Sequence, residues 1–132
     1  MNQSKYHINH QFADPNSPEN NLESAATIIL IRDVDSIAEV FMIKRATKSN
    51  FGGAWVFPGG TVDNEDSKNN ILDYCQGLDD KEASSILSLN KGGLCYWVAC
   101  VRECFEECGV LLAYRENGSL FKPTLDETNI LN

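Results

Sequence analysis

Residues 102–110, with the sequence Arg-Glu-Cys-Phe-Glu-Glu-Cys-Gly-Val, place three carboxylates and one guanidinium within about two turns of a predicted helix. At about 100° per residue, Glu103, Glu106 and Glu107 lie on one side of that helix. Like charges at this spacing cost a few tenths of a kcal/mol per pair, so the cluster needs either open solvent or a divalent cation. A solvated helix face is the commoner explanation for such a run taken alone, and a second feature is needed to favour a metal site.

That second feature is Pro58-Gly59-Gly60, which follows a short predicted strand at 54–57. Two glycines after a strand predict a tight, exposed bend whose backbone groups are open to a ligand. An acidic helix beside the bend could hold Mg²⁺ or Mn²⁺, hard cations that prefer oxygen ligands. Such a metal neutralises phosphate charge and activates a bound water, which suits a diphosphate substrate. Arg102 could orient one glutamate through a charge-assisted pair.

The hydrophobic pattern predicts the elements that position these residues. A run at 25–31 predicts a strand covered on both faces, and turn residues at 32–36 separate it from a second strand in a hairpin. The remaining predicted elements are the second strand at 38–44, a helix at 94–107 that stops at Gly109, and a strand at 110–114. The polar stretch between Gly60 and Gly92 has only a weak helical pattern, at residues 71–89, and predicts an inserted surface segment.

Composition predicts one globular domain with a modest core, since the chain has 132 residues, 42% of them hydrophobic and 23% charged. Residues 1–23 are polar and aperiodic, as in a flexible lead-in. A net charge of -8 argues against a nucleic-acid partner, because phosphate-backbone binding needs clustered Lys and Arg. No apolar run approaches the ~20 residues that cross a bilayer, and no signal or transit peptide is recognisable, so we expect an intracellular, soluble protein without a membrane partner.

The five cysteines are odd in number, and four lie on the predicted helix at 94–107 and its end. Cysteines four residues apart on one helix are poorly placed for a disulfide framework, so we interpret them as reduced thiols that act as small apolar residues. A thiolate metal site is the alternative. Trp55 and Trp97 are interpreted as core residues in preference to substrate-stacking residues.

Together these residues resemble the Nudix hydrolases, whose motif is G-x5-E-x7-R-E-U-x-E-E-x-G-U, with U a bulky apolar residue. Gly60 matches the leading glycine, and the run from Arg102 to Val110 matches the second half in order and spacing, with Cys104 at a U position. Asp66 stands where the family has its first Glu, and is either a participant or a loop residue and helix cap. Gly60 and Arg102 are 42 positions apart, against 14 in the family, so about 28 residues at 67–94 are inserted.

An interruption of this kind resembles the animal peroxisomal coenzyme A diphosphatases of the Nudix type. The resemblance implies an α/β/α sandwich with a mixed sheet over residues 24–132, incomplete at its C-terminal end because the family fold continues beyond the motif. It implies that Glu103, Glu106 and Glu107 bind Mg²⁺ or Mn²⁺, that the Gly59 carbonyl joins them, and that Arg102 supports them. It also implies cleavage of coenzyme A or acyl-coenzyme A to 3′,5′-ADP and (acyl-)phosphopantetheine.

For substrate binding, the resemblance implicates Gly59, Gly60 and Arg45, since Arg45-Ala46 fits part of a coenzyme A signature. It also suggests a peroxisomal location, with mitochondrion or cytoplasm as alternatives. Two other functions stay open at this point. One is a non-catalytic or truncated Nudix-like binding module, and the other is a diphosphatase for ADP-ribose, a dinucleotide or capped RNA. The substrate moiety, the catalytic base and the oligomeric state are left unassigned.

Overall fold

The computed structural model describes residues 22–47 and 52–124, so nearly all of the predicted lead-in at 1–23 lies outside the described residues. Within these described residues, six short strands precede the helical part. They are β1 (Ala25–Thr27), β2 (Ile31–Val34), β3 (Ile37–Val40), β4 (Ile43–Lys44), β5 (Trp55–Val56) and β6 (Gly59–Thr61). A 3-10 helix (Asn64–Ser67) and three α-helices follow, α1 (Asn69–Leu72), α2 (Asp80–Ile86) and α3 (Leu94–Cys108).

The strands form three antiparallel pairs, β1 with β6, β2 with β3 and β4 with β5. The prediction of an α/β fold is confirmed at the level of its content. The mixed sheet is not found within 22–47 and 52–124, where every strand pairing is antiparallel. Only β2 and β3 are joined by a tight turn, whereas β1 and β6 come together from distant parts of the chain.

The predicted hairpin exists, but its turn is tighter than the sequence suggested. β2 pairs with β3 around Asp35 and Ser36, which both have positive φ values of 51° and 64°. A two-residue turn of this kind matches the right-handed twist of the flanking strands. Residues 32–34, predicted as turn, therefore belong to β2.

The prediction of a strand at 25–31 covered on both faces is wrong in its burial. The run is broken after Thr27, and its side chains alternate, with Ala26, Ile28 and Leu30 partly buried and their neighbours exposed. Ile31 is 66% exposed. This alternation arises because α3 packs against β1 on one side, while no described residue covers the other.

The glycine bend also differs from the prediction, because Gly59 and Gly60 lie in a strand and Pro58 is buried. Gly59 pairs with Thr27 and Gly60 with Ala26. A Cβ on Gly59 would collide with the Ala26 backbone carbonyl, and one on Gly60 would meet the Glu103 carboxylate, which would have to move away. Gly59 is thus required for the close packing of β6 on β1, and Gly60 leaves the space that the Glu103 carboxylate occupies.

The predicted helix at 94–107 is confirmed as α3, which runs one residue further to Cys108. It ends at Gly109, whose left-handed φ of 69° allows its N–H to bond the Phe105 carbonyl. Leu94, Ala99 and Cys104 are the buried residues of the helix. This apolar side packs against β1 and β6 and fixes which residues face the strands.

Two further predictions about surface elements are corrected. The insertion does not simply lie on the surface, because Ala83 and Ser84 of α2 are buried against the start of α3. The predicted strand at 110–114 does not form, and only an isolated bridge between Tyr114 and Leu120 is found there. None of the helices in the described ranges is long and apolar enough to span a bilayer.

The five cysteines are free, in agreement with their interpretation as reduced thiols. Cys104 is fully buried, and this burial raises the pKa of its thiol to about 11, with a further contribution from the neighbouring Cys108. A thiol with a raised pKa stays protonated at neutral pH and is a poor nucleophile and metal ligand. Cys104 therefore serves as a small core residue, as its position facing the strands requires.

Candidate active site at the glycine strand

The two halves of the interrupted motif meet in space. The Gly59 N–H donates to Glu107 Oε2 at 3.0 Å, although 48 positions separate them in the chain. Glu103, one turn earlier on α3, places its carboxylate directly against Gly60. Because i and i+4 residues share one face of a helix, both acids project toward the same strand. The structure thus brings Gly59, Gly60, Glu103 and Glu107 together, as the motif requires.

Arg102 organises the acids from the side. Its Nη1 donates to Glu103 Oε1 at 2.9 Å and to Glu106 Oε2 at 3.2 Å, while Nη2 donates to the Thr61 carbonyl at 2.8 Å. The hydrogen bonds that Arg102 donates to Asp66, followed by the one that it donates to Glu103, raise the pKa of Arg102 above its ordinary value. Arg102 is therefore a permanent cation that ties α3 to the end of β6.

Asp66 is the partner that anchors this arginine. Its Oδ1 accepts from Arg102 Nε at 2.9 Å and its Oδ2 from Nη2 at 3.1 Å, which makes a bidentate pair. Only 2% of Asp66 is exposed, and its Oδ2 also accepts from the Asp63 backbone N–H at 2.8 Å. Asp66 thus completes the capping box of the 3-10 helix, whose N-cap is Asp63, and it also contacts the motif arginine. Its position six residues after Gly60 was the signal for the second role.

The three predicted metal ligands are not equivalent. Glu106 has a side chain that is 55% exposed, and its recorded contact is with Arg102 and not with the glycine strand. Within 22–47 and 52–124, no three acidic, histidine or cysteine side chains gather closely enough to hold a metal ion. The predicted cluster of three carboxylates is therefore reduced to two that face the glycines.

The residues at the glycine strand still fit Mg²⁺ or Mn²⁺. Glu103 and Glu107 supply hard carboxylate oxygens, and the missing side chain of Gly60 lets the backbone approach Glu103 closely. Mg²⁺ in particular is commonly held by one or two carboxylates, with water and substrate phosphate as its other ligands. A pair of carboxylates beside bare backbone is consistent with that mode of binding.

A cleft of about 410 Å³ opens next to Glu107. It is within the size range of small-molecule sites. Its lining residues come from β1, β6, α3 and the β4–β5 pair with its flanking residues, and they are Thr27, Met42, Arg45, Trp55, Val56, Phe57, Gly59 and Glu107. The cleft therefore extends from Glu107 and Gly59 to a wall that carries the aromatic Trp55 and the cationic Arg45.

Trp55 was predicted to be a core residue, and this is wrong. The residue is 62% exposed at the cleft, and the Lys44 ammonium lies 6.0 Å from its ring centroid. Trp97, in contrast, is partly buried on α3. The difference follows from β4–β5 being a two-residue pair whose Trp-bearing face no described residue covers, which the residue type alone does not reveal.

Comparison with known proteins gives one curated relative. Acyl-coenzyme A diphosphatase NUDT19 of Xenopus laevis is 33% identical over an alignment of 100 residues, gaps included, that takes in 60% of this chain. The chain spans 26% of the length of that relative. No family model matches the sequence, and no solved structure is significantly similar to it. The relative supports the resemblance to the Nudix hydrolases that the interrupted motif indicates.

Proposed function

We propose that this protein is a divalent-metal-dependent diphosphatase of the Nudix type that cleaves coenzyme A or acyl-coenzyme A. In this reaction water adds to one phosphorus and the bond from that phosphorus to the bridging oxygen breaks. The products are 3′,5′-ADP and (acyl-)phosphopantetheine. A peroxisomal location belongs to the same proposal and is based on the resemblance alone.

The observation that carries the proposal is the meeting of Glu107 with Gly59 and of Glu103 with Gly60. A solvated helix face does not explain why two carboxylates lie against Gly59 and Gly60, the two residues of β6 that have no side chain. The Glu103 side chain is only 15% exposed, and desolvating a carboxylate to this extent is unfavourable unless hydrogen bonds or a cation compensate. The insertion leaves this meeting intact even though it separates the two halves by about 28 additional residues.

At this site we expect the metal ion and the protein to supply different parts of the chemistry. Bound Mg²⁺ or Mn²⁺ would neutralise diphosphate charge and lower the pKa of a water molecule. Glu103 and Glu107 would hold the ion, Arg102 orients Glu103, and the Gly59–Gly60 backbone gives the phosphates close access. Because the chain carries a net charge of -8, a polyanionic substrate needs this local compensation.

The cleft beside Glu107 supports a substrate with a large group attached to the diphosphate. Arg45 is exposed on its wall and makes no ion pair with any described residue. An exposed arginine is well suited to an additional phosphate, and the exposed Trp55 ring offers an apolar surface to the rest of the molecule. Acyl-coenzyme A, to which the relative's name refers, carries both kinds of group.

The direct test is incubation of the purified protein with acyl-coenzyme A and either Mg²⁺ or Mn²⁺, with chromatographic detection of 3′,5′-ADP. Parallel reactions with ADP-ribose, NADH and capped RNA compare the other diphosphates. Production of 3′,5′-ADP that stops on addition of EDTA is the expected result. Well-folded protein that hydrolyses none of these substrates would refute the enzyme and favour a binding module.

The Arg45→Ala variant should raise the KM for acyl-coenzyme A by about tenfold and leave kcat within about twofold, because one charge-assisted hydrogen bond is worth ~1.5 kcal/mol. Steady-state kinetics measure the effect. Arg32→Ala is the matched control, since Arg32 is exposed on the β2–β3 hairpin, where it pairs with Glu39. Equal KM values for the two variants would remove Arg45 from the binding site.

A further inference from the structure

The helix that carries the acids begins in an unusual way. Its N-cap residue, Gly93, has helical backbone angles and no side chain to accept the free N–H groups of the first turn. A capping side chain cannot be placed there, because a Cβ on Gly93 would collide with the backbone of Ala83 and Ser84. The preceding Gly92 has a left-handed φ of 78°, which other residues adopt only with strain. The helix therefore needs acceptors from another part of the chain.

The insertion supplies those acceptors from α2. Asp80 Oδ1 accepts from the Leu94 N–H at 3.0 Å, and Oδ2 accepts from the Gly92 N–H at 3.0 Å. Ser84 Oγ, which is buried, accepts from the Gly93 N–H at 2.8 Å. Three consecutive amides are thus satisfied by two side chains one turn apart on α2. The bonds to Leu94 and then Gly92 lower the pKa of Asp80, so its carboxylate is ionised at neutral pH and also suits the positive end of α3.

The hydrogen bonds with Asp80 and Ser84 hold α3 in place at a second position along its length. The first is the pair of Asp66 with Arg102, near the middle of the helix, and the second is the Asp80–Ser84 contact at its start. Helix geometry separates residues 94 and 103 by about 13 Å, so a small tilt at one end moves the acids at the other. The Gly59–Glu107 hydrogen bond depends on the direction of the helix and would be lost by such a tilt.

We propose that the insertion is a positioning element for the candidate active site, and that Asp80 sets the start and direction of α3 by capping it from outside. This inference rests on the proposed function for its catalytic consequence only. Asp80 lies far along the chain from the motif acids and contacts no predicted ligand, so it acts through the helix. The insertion is thereby a part of the site's construction and not a passive surface segment.

The test compares Asp80→Ala, Asp80→Asn and Ser84→Ala with Asp73→Ala, which removes an exposed acid elsewhere in the same insertion. Hydrogen exchange followed by mass spectrometry reports the amides at 92–96. Loss of a cap should speed their exchange about fivefold in Asp80→Ala, in line with typical capping effects. Asp80→Asn retains one acceptor oxygen and should restore part of the protection, while Asp73→Ala should leave it unchanged.

Kinetics separate positioning from simple support of the fold. Asp80→Ala should lower kcat for acyl-coenzyme A several-fold with little change in KM, because none of the cleft residues contacts Asp80. Exchange at 92–96 equal to that of Asp73→Ala would overturn the cap, and faster exchange with unchanged kcat would overturn positioning.

If the unaltered protein hydrolyses no diphosphate, the proposed function fails by itself. In that case amide exchange and the affinity for Mn²⁺, measured without substrate, decide the inference. A weaker affinity in Asp80→Ala supports it, and an unchanged affinity overturns it.

Discussion

The Glu107→Gln variant should lose about a hundredfold or more in kcat with acyl-coenzyme A while keeping its fold, a loss that corresponds to ~2.7 kcal/mol of transition-state stabilisation. Gln has the shape of Glu and retains an oxygen that can accept from the Gly59 N–H, which Glu107 Oε2 now does at 3.0 Å. The variant therefore removes the negative charge and leaves the contact between helix and strand in place. Metal binding needs that charge, whereas packing does not.

The same Glu107→Gln substitution should not lower the free energy of unfolding. Glu103 and Glu107 are like charges at i and i+4, and their repulsion costs a few tenths of a kcal/mol. Neutralising one of them should leave the free energy of unfolding equal or slightly higher. Thermal denaturation alongside the kinetics distinguishes loss of a metal ligand from loss of folding, and a weaker affinity for Mn²⁺ should accompany the loss of kcat.

Two further substitutions give values of kcat with which that of Glu107→Gln can be compared. Glu106→Gln should lower kcat by less than about tenfold, because Glu106 contacts Arg102 and not the glycine strand. Glu116→Gln, an exposed acid outside α3, should leave kcat unchanged. Equal losses for Glu106→Gln and Glu107→Gln would contradict the ranking that the structure implies, and a fully active Glu107→Gln would exclude that residue from metal binding.

The part of the site that the sequence predicted best is the part whose signals are local. The helix at 94–107 has a 3.6-residue apolar period and ends at a glycine, and both signals lie within a few turns of the helix itself. The β2–β3 hairpin likewise follows from turn residues between two apolar runs. Contact between the glycine pair and the acidic helix was a hypothesis from their chemistry that the family motif supported, since no local signal joins Gly59 and Glu107, which are 48 positions apart.

The errors arose where burial depends on distant partners. An apolar run such as 25–31 can be covered on one face or on two, and composition does not say which, so the exposure of Ile31 could not be read from it. The prediction that Trp55 is a core residue was wrong for the same reason, because aromatic residues are buried on average but also line clefts. Asp80 lies in the segment whose sequence has only a weak helical pattern, and its bonds with Gly92 and Leu94 depend on how α2 returns to α3.

The Asp66→Ala variant should lower the free energy of unfolding by about 3 kcal/mol, near the lower end of what breaking a buried ion pair costs. Asp66 is 2% exposed and holds Arg102 through two hydrogen bonds, so its removal leaves the guanidinium without its bidentate partner. Glu103 and Glu106 still contact Arg102, and for that reason the loss should not reach the upper end. Chemical denaturation with a two-state fit gives the value.

Arg102→Ala should be at least as damaging, because it leaves the Asp66 carboxylate buried with only the Asp63 N–H as a recorded donor. Glu65→Ala is the control, since Glu65 forms an exposed pair with Lys68 that is worth at most about 1 kcal/mol. Both core variants should also lose activity, because Arg102 orients Glu103 and ties α3 to Thr61 at the end of β6. If Asp66→Ala were no less stable than Glu65→Ala, the arginine would be held by the helix acids, and Asp66 would have no part in aligning the acids with Gly59 and Gly60.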